Sequence, residues 1–237
     1  VKKDLTGFIR GLIIVFLGAT ALFNMSSGIG TTCLAFDAAS YPPFKKLADY
    51  ATFYQASVYL YTLAGFALVI ITYAFIRAEK WAFWSAVGVV LVSGVYSVIH
   101  VYLSRMLRGS SLPNDIRMIA DIATLIVLII VRLPFIWNKI DLTKKPEGDA
   151  SYAIPTGAAF LVSGILLFFV PMMSASSHTI DGVNLAATLQ PQINIIASLL
   201  VVIGGGLIAL VKLGFNPDTW VVSTFRRITK AEVGGAK

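Results

Sequence analysis

Apolar residues fall into six blocks along the chain, residues 7–25, 54–76, 81–103, 116–137, 154–173 and 193–213, with short polar stretches between them. Each block is about the length of one membrane crossing, which takes roughly 20 residues. The pattern predicts an all-α integral membrane protein, a bundle of six transmembrane helices. Little chain is left for a soluble domain. The expected organisation is a six-span membrane domain over residues 1–215 and a cytoplasmic amphipathic tail over residues 216–237.

Polar residues between the blocks give the orientation. If the N-terminus is cytoplasmic, fourteen of the 19 Lys and Arg residues fall on the cytoplasmic side and five outside. Basic residues collect on the cytoplasmic flanks of spans, so both termini are expected inside. Trp81, Trp84, Trp137 and Trp220 then fall near the inner interface, where amphipathic rings anchor helices. The first block has the basic start and apolar stretch of a signal peptide but is expected to stay as the first span.

Composition agrees. Of 237 residues, 57% are hydrophobic and 13% charged, against about 25% charged in soluble domains. Mean hydropathy is +0.80. These values exclude a soluble domain, a disordered chain and a fibrous repeat. The net charge of +7 is explained by the basic inner flanks, so no nucleic-acid partner is expected. A multi-pass location in a bacterial or archaeal cytoplasmic membrane is expected.

Three segments outside the blocks have a character of their own. Residues 44–51 place Phe44, Leu47 and Tyr50 on one helical face, as a short surface helix would. In the tail, Trp220 and Phe225 stand beside Arg226, Arg227 and Lys230, a pattern that suits anchoring on the inner membrane surface. Residues 174–190 read as an ordered outer cap or a partner contact.

Small residues mark the middle of every span: Gly18, Gly65, Gly94, Ala123, Gly164 and the run Gly204, Gly205 and Gly206. They permit close helix packing. The glycine run could also break its helix, though packing is the preferred reading. Gly11 and Gly18 share a seven-residue spacing with Gly157 and Gly164, a faint echo of duplication. No ionisable residue occupies the centre of a span, which argues against proton pumps and ion-coupled carriers.

Polar residues gather at the outer helix ends. The candidate site there consists of His100, Asp121, Arg117, Tyr96, Gln55 and Asn24. The third and fourth blocks are joined by a short loop, so His100 and Asp121 are expected on antiparallel neighbours, close enough to pair. Such a pair could orient a proton donor, hold a ligand or sit beside a quinone head group. Arg117 and Asp121 are four apart on one helix face and are expected to pair with each other. Metal and haem signals are poor. The two histidines, His100 and His178, have no ligand spacing around them, and no cofactor is expected. Cys33 is expected to be a small buried side chain. The stretch from Gly28 to Cys33 is read as a turn with a helix cap.

Three functions fit these features. The favoured one is a non-catalytic membrane subunit or scaffold in a homo- or hetero-oligomeric complex. It would act through helix–helix and outer-loop contacts with other subunits or copies of itself, and with the lipid bilayer. The second is a carrier or channel for a small neutral or amphipathic solute. The third is an outer-face redox or hydrolytic enzyme using His100 and Asp121. Enzymatic activity stays open, with the balance against it.

Overall fold

A computed structural model describes residues 2–111, 114–144, 152–174, 179–180 and 183–215. The residues expected to anchor the tail, Trp220, Phe225, Arg226, Arg227 and Lys230, lie outside the described residues, as does His178.

The described chain is almost entirely helical. The long helices are α1 (Lys2–Gly30), α3 (Ala51–Ile76), α4 (Ala82–Arg108), α5 (Asn114–Arg132), α7 (Ala153–Phe168) and α10 (Gln190–Lys212). Short helices α2 (Thr32–Asp37), α6 (Pro134–Trp137), α8 (Val170–Ser174) and α9 (Leu185–Thr188) lie between them. A two-stranded antiparallel ribbon pairs β1 (Thr179–Ile180) with β2 (Val183–Asn184). Five helical stretches are long and apolar enough to cross a membrane: Leu5–Ser40, Phe44–Ile76, Ala82–Arg108, Ala153–Met172 and Gln190–Lys212. The chain is therefore an all-α membrane protein that meets the bilayer through apolar helices. The fourth block, the one not among these five, forms α5, which carries Asp115, Arg117, Asp121 and Arg132 within 19 residues.

Helix boundaries differ from the sequence expectation where local chemistry intervenes. The fourth block was expected to run to residue 137. It stops at Arg132 because Leu133 is extended, with ψ 136°, ahead of Pro134, and a proline disfavours helix in the residue before it. The fifth block divides at Phe169, two residues before Pro171. Gly28 and Gly30 are not a turn. α1 runs through them, because Gly28 lets the α3 backbone at Val58 and Thr62 come against it. α10 is unbroken at its glycine run.

The helices do not form one six-membered bundle. α1, α3, α4 and α5 close a ring in which each packs on the next, and α5 returns to α1. α7 lies against the outside of α1, and α10 lies against α7. Glycine decides this second arrangement. A Cβ on Gly157 would come within 2.6 Å of the Gly204 carbonyl oxygen, and one on Gly204 within 2.5 Å of the Gly157 oxygen. A Cβ on Gly164 would meet the Ala197 oxygen at 2.8 Å. The two backbones are thus in direct contact, the geometry that small residues give membrane helices. The repeated spacing serves two different seams: Gly11 and Gly18 face Pro155 and Ala159 of α7, whereas Gly157 and Gly164 face α10.

One end of the four-helix ring is closed by α2 and a 3-10 helix, Pro42–Tyr50. Phe44 and Leu47 are buried there with Leu34, Ala35, Ala38 and Tyr54, while Lys45, Lys46 and Asp49 face outward. This is the amphipathic segment expected over residues 44–51, with two differences: Tyr50, expected on the face of Phe44 and Leu47, is exposed, and Ala51 already belongs to α3. Cys33 is exposed on α2, contrary to the expectation of burial. α2 is a short cap helix that turns Leu34 and Ala35 inward and Cys33 away.

At the opposite end Arg10 is buried and gathers three segments. Its guanidinium donates to the Tyr152 hydroxyl and to the carbonyl oxygens of Leu142 (3.0 Å) and Lys144 (2.8 Å). It therefore ties α1 to the loop before α7 and to the start of α7. Arg132 lies over the Trp137 and Trp84 rings, 4.7 and 5.7 Å from their centroids.

Candidate functional site

Each helix of the ring has an inward face that changes character along its length. Toward the Arg10 end the face is apolar: Ile13, Ile14 and Leu17 of α1, Leu68 and Phe75 of α3, Ala86 and Val90 of α4, Leu128 and Val131 of α5. Toward the capped end it is polar. α4 turns Ser93, Ser97, His100 and Ser104 inward, and α5 turns Asn114, Arg117, Asp121 and Thr124 inward. α3 contributes Tyr54, Ser57 and Tyr61, and α1 contributes Thr20 and Asn24, all buried. The alternating spacing of three and four residues keeps these side chains on one helix face.

Asp121 sits at the centre, fully buried. Its Oδ1 accepts from Asn24 Nδ2 at 3.0 Å. Its Oδ2 accepts from Ser97 Oγ at 2.7 Å and Ser93 Oγ at 3.0 Å. Ser93 also lies 2.7 Å from Asn24 Oδ1, so α1, α4 and α5 converge on one carboxylate. Below it, Thr20 and Thr124 hydroxyls are 2.7 Å apart and tie α1 to α5 again. A Cβ on Gly94 would stand 3.6 Å from Asp121 Cβ, an ordinary van der Waals contact, so α4 and α5 meet here without requiring glycine.

His100 occupies a separate cell nearer the cap. Its Nε2 is 3.0 Å from Asn114 Nδ2, and its Nδ1 is 3.2 Å from the Tyr61 hydroxyl. The Tyr61 hydroxyl is also 3.4 Å from the Tyr96 carbonyl oxygen. One proton arrangement satisfies all three contacts with a neutral ring. Asn114 donates to Nε2, Nδ1–H donates to the Tyr61 oxygen, and Tyr61 donates to the Tyr96 carbonyl. Phe53, Tyr54 and Tyr61 surround the imidazole, with ring centroids 6.2, 5.0 and 5.9 Å away.

The expected pairs do not form. His100 does not bond Asp121, and Asp121 makes neither a hydrogen bond nor a salt bridge with Arg117 among the described residues. The salt bridge described in this region joins Arg105 to Asp115 at 2.9 Å. The reason is competition. The carboxylate finds three neutral donors on α1 and α4 at hydrogen-bond distance, while the Arg117 side chain lies flat on Tyr61. Arg117 Cζ stands 3.3 Å from the Tyr61 ring centroid. Arg117 is 1% exposed, and its Nε, Nη1 and Nη2 all lack a hydrogen-bond partner among the described residues.

Of the six expected residues, the structure brings Asn24 and Asp121 into direct contact. His100 and Arg117 lie in the neighbouring cell and share Tyr61 as a contact. Tyr96 presents its carbonyl to Tyr61 and stacks its ring on Phe53 at 4.9 Å. Gln55 is elsewhere: its amide donates to the Ala35 carbonyl and pins α2 to α3. Sequence reasoning missed Tyr54, Tyr61, Ser97, Ser104 and Asn114. The signal was present in α4, where Ser93, Ser97, His100 and Ser104 repeat at spacings of four, three and four.

Chemically, the arrangement is a hydrogen-bonded tie among four helices in which, among the described residues, the Arg117 guanidinium has no acceptor. No group of three or more metal-binding side chains occurs among the described residues. Comparison with protein-family models, curated proteins and solved structures finds no match for this chain.

Proposed function

We propose that this protein is a non-catalytic integral membrane subunit or scaffold, acting through helix–helix and cap-end contacts in a homo- or hetero-oligomeric complex. The observation that carries the reading is α10. It is a helix of membrane-crossing length held to the rest of the molecule along a single glycine seam with α7. Around the remainder of its surface Ile195, Ile196, Leu199, Val202 and Ile203 are exposed. Gly205 and Gly206 also have nothing within 4 Å of where a Cβ would stand. Small residues without a neighbour offer another helix the same close approach that Gly157 and Gly204 achieve. The polar core supports the same reading, since His100 and Asp121 have their polar atoms engaged in holding the ring together.

In this reading α5 is a sixth span and the capped end faces away from the cytoplasm. At 1.5 Å per residue its 19 residues reach about 28 Å, close to a hydrocarbon thickness of roughly 30 Å. Arg117 and Asp121 face the ring and not lipid, which is where intramembrane charges are tolerated. This orientation also keeps the basic majority inside.

The test is cross-linking in native membranes. Cys33 is replaced by Ser, and Gly205 and Gly206 are replaced one at a time by Cys. A disulfide adduct, either at twice the chain mass or with a second defined chain, is expected under mild oxidation. Only uncross-linked chain at both positions would overturn the proposal.

A further inference from the structure

Among the described residues, the charges of the polar core do not balance. Two guanidiniums enter the capped end of the ring, Arg117 from α5 and Arg108 from the end of α4. Both are near enough to His100 to act on it electrostatically. Their nitrogen atoms include four that are buried without an acceptor: Arg117 Nε, Nη1 and Nη2, and Arg108 Nε. Arg105 and Asp115 neutralise each other at the rim. Asp121 is the carboxylate left to the interior, and its oxygens are taken up by Asn24, Ser93 and Ser97.

A guanidinium carries five N–H donors in a planar fork and stays protonated in proteins. Stacking on Tyr61 satisfies its face and none of those donors. The Tyr61 hydroxyl is engaged with His100 and the Tyr96 carbonyl; it interacts with Arg117 electrostatically, but no Arg117 nitrogen makes a hydrogen bond to it. Leaving a buried charge unpaired is among the costliest states in a protein interior. In a bilayer-embedded bundle, bulk water is not at hand to solvate it. The complementary group is a planar or tetrahedral oxyanion able to accept two parallel N–H bonds.

We propose that Arg117 is the centre of an oxyanion-binding site in the capped end of the four-helix ring. It would take the carboxylate or phosphate group of a small anion or of an anionic lipid head. Tyr61 fixes the plane of the guanidinium by stacking. His100, through its bond to Tyr61, holds that ring in place and acts as a positioning residue. The cap residues Phe44 and Leu47 are buried with Tyr54 at this end of the ring, and Arg108 lies over the Phe44 ring with its Cζ 5.2 Å from the centroid. The second cation therefore stands between the cap and the interior.

The site is tested on the full chain in nanodiscs of pure phosphatidylcholine and of phosphatidylcholine with phosphatidylglycerol. Native mass spectrometry counts bound mass per chain. Thermal unfolding is followed with inorganic phosphate or acetate as added probe. Wild-type protein is expected to retain one anion equivalent and to gain stability with it. Arg117→Gln should lose the effect, and Arg117→Lys, which cannot present a fork, should weaken it by about tenfold or more. Arg105→Gln, at the rim, should keep it. Stabilisation by free phosphate or acetate in the neutral nanodisc identifies a soluble anion. Stabilisation by phosphatidylglycerol alone identifies a lipid head group. No bound anion on wild type in either nanodisc overturns the proposal, without need of a variant that folds. An anion effect undiminished in both Arg117 variants does so too.

Discussion

Replacing Asp121 with Ala should break the tie that joins α1, α4 and α5. Three donors that are themselves fully buried stand 3.0, 2.7 and 3.0 Å from the carboxylate, the Ser93 hydroxyl sharing its one proton with Asn24 Oδ1. Interhelical hydrogen bonds in membrane proteins average about 0.6 kcal/mol each, because the unfolded chain in the bilayer also finds partners. Three such bonds set a floor near 2 kcal/mol. Removing one member of a buried charged network costs about 3–5 kcal/mol in proteins generally, and Arg117 loses its nearest counter-charge in this variant. The expected loss is therefore about 2–5 kcal/mol. Asp121→Asn should lose less, since it keeps the shape and one acceptor oxygen for Ser93 and Ser97. Its new amide would meet the Asn24 amide, donor against donor, unless Asn24 turned over. Reversible unfolding in mixed micelles with rising SDS, read by tryptophan fluorescence, measures these differences. A double-mutant cycle with Ser97→Ala separates network coupling from bulk. The Ser97 change should cost much less once Asp121 is already Ala. An Asp121→Ala protein within about 0.5 kcal/mol of wild type would refute the assignment of this carboxylate as the central tie. So would additivity of the two changes at that level.

Gly204→Ala should push α10 from α7, since its Cβ would meet backbone atoms at 2.5 and 2.8 Å. A cost of about 1–3 kcal/mol is expected. Gly205→Ala meets nothing within the chain and in the dissociated chain should be neutral or stabilise by up to about 1 kcal/mol; the same micelle titration compares the two. Arg10→Lys should loosen the loop at residues 141–144, because an ammonium cannot reach the Tyr152 hydroxyl and two carbonyls in one plane; faster hydrogen exchange there checks it. Asp141 is held below the usual carboxylate range by bonds from the Thr143 side chain and then the Thr143 backbone. A depressed folded value means the stabilisation is complete above 3.8 and is lost as pH falls through the lower folded value. Protection of this loop should therefore fall in that acidic window in wild type, and Thr143→Val should shift the loss upward toward 3.8.

Much of the fold follows from one-dimensional physics. A block of about twenty apolar residues leaves a chain little choice but helix in a bilayer, where every backbone N–H and C=O must be satisfied within the segment. The helical class, the approximate span positions and the amphipathic cap over residues 44–51 needed no partner residue to be known. The lower end of the fourth block could also have been placed, because Pro134 acts on the residue beside it. Packing was different. Gly157, Gly164 and Gly204 announce close approach, but nothing in their spacing says that they face each other while Gly11 and Gly18 face Pro155 and Ala159. Seam choice depends on the rotation of whole helices. The polar core shows the same division. Asn24, His100, Arg117 and Asp121 stand out in the sequence as polar residues in apolar surroundings, so their burial in the ring was legible. Their partners were not. A spacing of four offers Arg117 to Asp121 on one helix, yet three donors reach the carboxylate from α1 and α4 across the ring. Only the tertiary structure brings Ser93, Ser97 and Asn24 to one point, and in doing so it leaves the Arg117 guanidinium buried against Tyr61 without an acceptor.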